Sequence, residues 1–147
     1  MYRLFITFVA IVCIGLTSCS RVFWVKASGS INTGIQFEFF EDPDRSSPAR
    51  LQVTEVSVVK YDQDRNASEQ WLLTGRARLS TVEYGVVPKG LTEHIQAEAL
   101  LAGGVYEVRV HDDPAIPPPA NGGTMFKLTE TGTVIDCRTY LECSDDK

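Results

Sequence analysis

The residues best placed to do chemistry are few. His111-Asp112-Asp113 sets an imidazole beside two carboxylates, which can serve as a base with an orienting carboxylate or as part of a metal site. A surface histidine beside loop carboxylates accounts for the same residues without any chemistry. Asp62, Asp64 and Asn66 put oxygen ligands on alternate residues of one run, a spacing that can wrap a hard cation. Asp and Asn also favour turns, so a solvated hairpin tip explains that run too. The remaining imidazole is His94, and the sequence holds no Gly-x-Ser-x-Gly, phosphate-binding loop or His-Glu-x-x-His. No complete catalytic set is legible.

The Asp62 run resembles the first three ligand positions of an EF-hand calcium loop. Ala67 stands where that loop carries Gly, and Leu73 where it carries a bidentate Glu, with Glu69 the nearest substitute. The resemblance therefore implies only a weak calcium site at Asp62, Asp64 and Asn66, and no other cofactor is expected.

The chain opens Met1-Tyr2-Arg3, continues through a mostly apolar stretch from Leu4 to Leu16, and then reads Thr17-Ser18-Cys19. That apolar stretch is short of the ~20 residues a spanning helix needs. The segment resembles the lipobox signal peptide of bacterial lipoproteins. The resemblance implies cleavage of residues 1–18 and acylation of Cys19. At about 0.8 kcal/mol per buried methylene, one fatty chain holds a bilayer marginally and two or more hold it stably. Ser20, where inner-membrane retention uses Asp, implies a lipid-anchored place at the outer membrane of a Gram-negative cell, on its periplasmic or surface face. In a Gram-positive cell the same lipobox implies the outer leaflet of the plasma membrane.

Of 14 basic and 19 acidic residues, loss of the signal removes Arg3, leaving 13 basic residues and a net charge of −6 in place of −5. No basic run appears, so no nucleic-acid partner is expected. Lipid, rather than a basic patch, is expected to hold so acidic a chain to a membrane. Cys13 leaves with the signal and Cys19 takes the lipid. Cys137 and Cys143 remain as an even pair in an oxidising compartment, and a disulfide between them would contribute about 2.4 kcal/mol through chain entropy.

These residues must be positioned by strands. Arg21–Lys26 reads as a first strand and 27–34 as a loop. Ile35–Phe39 alternates with period two, and 41–48 carries turn chemistry. Leu51–Tyr61 changes parity between Val53 and Val56, which predicts a bulge near Thr54-Glu55. Residues 62–68 read as a polar loop and Gln70–Thr74 as a short buried strand. Leu79–Val87 reads as a strand with Val82, Tyr84 and Val86 on one face, and Leu91–Leu101 as another strand. Val105–His111 is the clearest, with Tyr106, Val108 and Val110 inward and Glu107, Arg109 and His111 outward. Asp112–Gly123 reads as a long loop with an extended Pro117-Pro118-Pro119. Thr124–Thr129 and Thr133–Arg138 form a hairpin around Thr131-Gly132.

So many short strands predict an all-β chain forming a single antiparallel β-sandwich after the signal. Leu101-Ala102-Gly103-Gly104-Val105-Tyr106-Glu107-Val108-Arg109-Val110 resembles the tyrosine corner of fibronectin type III and related immunoglobulin-like domains. The resemblance implies that Tyr106 buries its ring and donates its hydroxyl to upstream backbone. The expected organisation is signal peptide 1–18, lipid attachment and tether or first strand 19–34, sandwich 35–139 and tail 140–147. The leading functional expectation is a non-catalytic envelope module, binding a protein or glycan or serving a structural role. Its candidate surfaces are the proline loop and the outward face of the Tyr106 strand. The alternative is a small envelope hydrolase or metal-dependent enzyme using His111, Asp112 and Asp113.

Overall fold

The computed structural model describes residues 21–115 and 120–144; the signal segment, Cys19 and Pro117–Pro119 lie outside them. The described chain is almost entirely β: β1 (Arg21–Val22), β2 (Trp24–Ser30), β3 (Gly34–Phe40), β4 (Leu51–Tyr61), β5 (Ala67–Leu79), β6 (Thr81–Glu83), β7 (Leu91–Ile95), β8 (Val105–Asp112), β9 (Ala120–Leu128) and β10 (Val134–Asp136), then one short helix, α1 (Tyr140–Ser144). The larger sheet runs β1-β9-β8-β4-β5-β7, with β10 also on β9, and the smaller runs β2-β3-β6. Every pairing is antiparallel except that of β1 with β9.

Side chains from both sheets meet in one core. β8 supplies Tyr106, Val108 and Val110, all fully buried, by the alternation its sequence shows. Phe37 of β3 meets Phe126 of β9 at 5.6 Å, and Phe126 in turn stacks on Tyr106 at 5.4 Å. Tyr106 closes a corner. Its hydroxyl accepts the Leu101 N–H at 2.8 Å, while its donation to the Leu101 carbonyl is long, at 3.4 Å. The expected roles are therefore reversed in weight: the stronger bond uses the hydroxyl as acceptor. The bulge of β4 falls between Val53 and Glu55 as the parity change predicts.

Several boundaries differ from the sequence reading. Residues 27–34 are not a loop, since β2 pairs with β3 from Trp24 to Ser30 and the turn is confined to 31–33. Their small size reflects close approach. A Cβ on Gly29 (φ +99) would lie 2.2 Å from the Gly34 carbonyl oxygen. Gln70–Thr74 is the middle of a 13-residue strand, whose pattern is broken by Gly75 and by a register shift opposite Val58-Val59. The Leu79–Val87 run is divided: Leu79 ends β5 opposite Leu51, and Thr81–Glu83 pairs with β3 in the other sheet. Val82 is buried and Tyr84 packs edge-on against Trp71 at 5.2 Å, but Val86 lies past the turn and is 51% exposed. Leu91–Leu101 forms a ladder only as far as Ile95. The loop after Asp112 ends sooner than expected, because β9 begins at Ala120. Gly122 looks like a loop residue, but a Cβ there would come within 2.6 Å of the Phe23 ring.

Candidate functional site

β1, the start of β4 and the start of β9 lie at one end of the domain, the near pole. The turns 31–33 and 62–66 lie at the other, the far pole. His111, Asp112 and Asp113 lie at the near pole because β8 ends there. Alternation sends His111 to the outer face and Asp112 inward. The β4 bulge frees Thr54, whose hydroxyl donates to the carbonyls of His111 and Asp112, both at 3.3 Å. The same bulge sets Glu55 opposite His111, with Oε1 3.7 Å from Nε2. Asp112 Oδ1 accepts the Asp113 N–H at 2.8 Å, and Asp113 Oδ1 accepts the Ala115 N–H at 2.9 Å. Asp113 Oδ2 meets Arg76 at 2.7 Å; the carboxylate is 5% exposed and the guanidinium side chain 63%.

These groups line an open cleft of about 470 Å³ that extends to Asn121. A second hollow of about 300 Å³ shares His111 and Asn121. It continues over Gly122-Gly123, past Arg109, to Val22 and Trp24. The two make one groove along the outer face of β8 and β9.

The outer face carries a second polar assembly, whose Glu107 and Arg109 also line the second hollow. Tyr61 Oη donates to Glu107 Oε2 at 2.6 Å, and one Arg109 nitrogen donates to Tyr61 Oη at 2.7 Å and to Glu107 at 2.6 Å. Burial opposes the charge on Glu107, but the bonds from Arg109 and Tyr61 outweigh it and hold the carboxyl below its ordinary range. Burial, reinforced by Glu107, pushes the Tyr61 phenol up. The ring of Tyr140 on α1 meets Tyr61 edge-on at 6.1 Å, and Arg65 sits 5.0 Å over the Tyr140 ring. The sulfurs of Cys137 and Cys143 are at bonding distance, with Cα atoms 5.1 Å apart, so a disulfide ties the two ends of α1 and its lead-in together.

The structure does not bring His111, Asp112 and Asp113 to a common point. The imidazole faces Glu55, while the two aspartates are engaged by backbone N–H groups and Arg76. Among the described residues, no three His, Cys, Asp or Glu side chains are arranged to hold a metal ion. At the far pole, Asp62 Oδ1 accepts the Asn66 N–H at 2.8 Å and Oδ2 the Asn66 side-chain amide at 2.9 Å. These bonds lower the Asp62 pKa and turn its carboxylate into its own hairpin. His94 Nε2 lies 2.7 Å from Thr74 Oγ1, and Thr74 is the register partner of Glu55 on β4. Sequence reasoning missed Glu55, Arg76, Asn121 and Trp24 as groove residues. The parity change at Thr54-Glu55 was a signal for Glu55; the others reach the groove only through strand register.

A scan against protein-family models finds no match, and comparisons with curated proteins and with solved structures likewise find none.

Proposed function

We propose that this chain is a lipid-anchored bacterial envelope protein whose mature part is an immunoglobulin- or fibronectin-III-like sandwich, acting as a non-catalytic binding module for an envelope protein or glycan. The fold reading draws on strand order. The order β2-β3-β6 can be matched to strands A, B and E, and β9-β8-β4 to G, F and C, with β5 and β7 added beyond C; this match supports the reading. Tyr106, near the start of the F-like strand, reaches back to Leu101 as a tyrosine corner would. The lipobox at Leu16–Cys19 supports the anchoring.

The observation that carries the binding reading is the groove. It is open, offers donors and acceptors beside an indole, and engages its buried carboxylates, Asp113 with Arg76 and Asp112 with the Asp113 N–H, which suits recognition better than proton transfer. Cys19→Ala should abolish fatty-acid labelling and release the protein from membranes; a mutant that still fractionates with membranes, unlabelled, would sink the anchoring. A photo-cross-linker at Asn121 should capture a discrete envelope partner. Its failure there, with capture from the far pole instead, would move the binding surface.

The competing reading is a hydrolase or metal-dependent enzyme, and the Glu55 carboxylate beside His111 is the observation in its favour. A zinc titration of the purified domain followed by His111 ring NMR separates the two, since the binding module predicts no site-specific shift.

A further inference from the structure

Only Ser20 lies between Cys19 and β1. Two peptide steps span at most about 7 Å, so acyl chains on Cys19 would be held within that distance of Arg21. β1 is not a loose arm. Arg21 and Val22 pair with Ala120 and Asn121, and the next residue, Phe23, is 2% exposed and packs edge-on against Phe39 at 6.2 Å. The surface around this point has the character of a membrane interface. Val22 is 55% exposed, Trp24 is half-buried, and Arg21, Arg50 and Arg78 are exposed with no carboxylate paired to them among the described residues. The same end also carries acidic groups: Glu41 and Asp44 are exposed, Asp42 accepts the N–H groups of Ser46 and Ser47, and Asp113 pairs with Arg76, so the arginines act as local contacts and not as a net basic patch. Guanidinium, indole and small apolar groups are the side chains that settle among phosphates and upper acyl carbons.

We propose that the short tether holds the near pole against the head-group layer of the bilayer that receives this chain's own acyl anchor, so that the domain stands upright and the groove opens sideways at head-group level. This rests on the proposed acylation of Cys19. The acyl chains remain the source of the hold, and Arg21, Arg50 and Arg78 add local contacts to head-group phosphates.

The test uses full-length lipidated protein in phosphatidylethanolamine–phosphatidylglycerol vesicles bearing a nitroxide on the head group. A bimane fluorophore is placed at Ser80→Cys, next to the Leu79 partner of Leu51 at the near pole, or, at the far pole, at Asn32→Cys. The 11-residue β4 spans about 35 Å between the poles, so emission from position 80 should fall by roughly half or more while that from position 32 is unchanged. A Gly-Ser spacer of about twelve residues after Ser20, with a root-mean-square reach near 20 Å, should relieve the quenching at 80 without reducing flotation. Equal quenching at 80 and 32, or quenching at 80 that ignores the spacer, overturns the proposal while flotation keeps the anchor. Protein that does not float removes the anchor and the orientation together.

Discussion

The two faces of the β8–β9 ribbon are made from alternate residues of the same strands, yet they obey different physics. Inward, Tyr106, Val108, Val110 and Phe126 are fully buried and fix the structure by volume and one hydroxyl. Outward, Glu107, Arg109, His111 and Asn121 are held by charge and hydrogen bonds, under a short helix at one end and an open groove at the other. An interior packed at crystal-like density cannot be changed by a methylene without a response. A half-exposed ion pair can be changed at little cost, because water replaces what is lost. The inner face therefore decides whether the chain folds, and the outer face is where it can vary.

The contrast can be broken by mutation. Phe126→Ala, which removes the ring between Phe37 and Tyr106, should destabilise by about 3–5 kcal/mol in denaturant unfolding. A loss near zero would mean the inner face is not the determinant. Cys137→Ser should cost up to about 2.4 kcal/mol, the chain-entropy value for so short a loop. It should also loosen the Tyr140–Tyr61 contact, read as faster amide exchange in α1 alone. Exchange accelerating throughout β8 would show the helix to be part of the core. Tyr106→Phe keeps the ring and leaves the Leu101 N–H without its acceptor, so about 1 kcal/mol should be lost at an unchanged m-value. No change would show that water already serves that amide.

Glu107→Gln should cost less than about 1 kcal/mol at neutral pH, because the pair with Arg109 is half-exposed. Its sign with pH is fixed. A carboxyl whose folded pKa lies below its ordinary 4.5 contributes stability fully above that value and loses it as pH falls through the lower folded pKa. The wild-type advantage over the mutant should thus shrink on acidification through and below 4.5, and an advantage that grew would contradict the Tyr61–Glu107–Arg109 assembly. The smallest effect belongs to calcium. Micromolar calcium should leave the melting temperature unchanged, since Asn66 occupies both Asp62 oxygens. A rise of several degrees that disappears in Asp62→Ala would make that turn a site.

Legibility in the sequence followed the same division. The inner face of β8, the β4 bulge and the 129–133 hairpin were readable, because each leaves a local trace in alternation, parity or turn chemistry. The small residues of β2 and β9 were misread as loops. Gly122 is small because Phe23 crowds it, and that reason lies about a hundred residues away in the sequence. The groove was half visible. His111, Asp112 and Asp113 are adjacent in sequence, whereas Glu55 and Arg76 arrive by register from β4 and β5. Even the readable half was misleading about chemistry, since neighbours on a strand point to opposite faces.

The parallel pairing of β1 with β9 has a consequence in time. Arg21 meets Ala120, and the Ala27 N–H donates to Asp136 at 3.2 Å, a sequence separation of 109. β1, the first described strand, is thus among the last to find its partner, whereas β2 can pair with β3 at once, and contacts of such high order form late. If Cys19 is the acceptor for lipid, the residues that follow it stay unpaired until β9 has emerged. The modifying enzymes then meet an extended chain end, and docking of β1 closes the domain only after they have left.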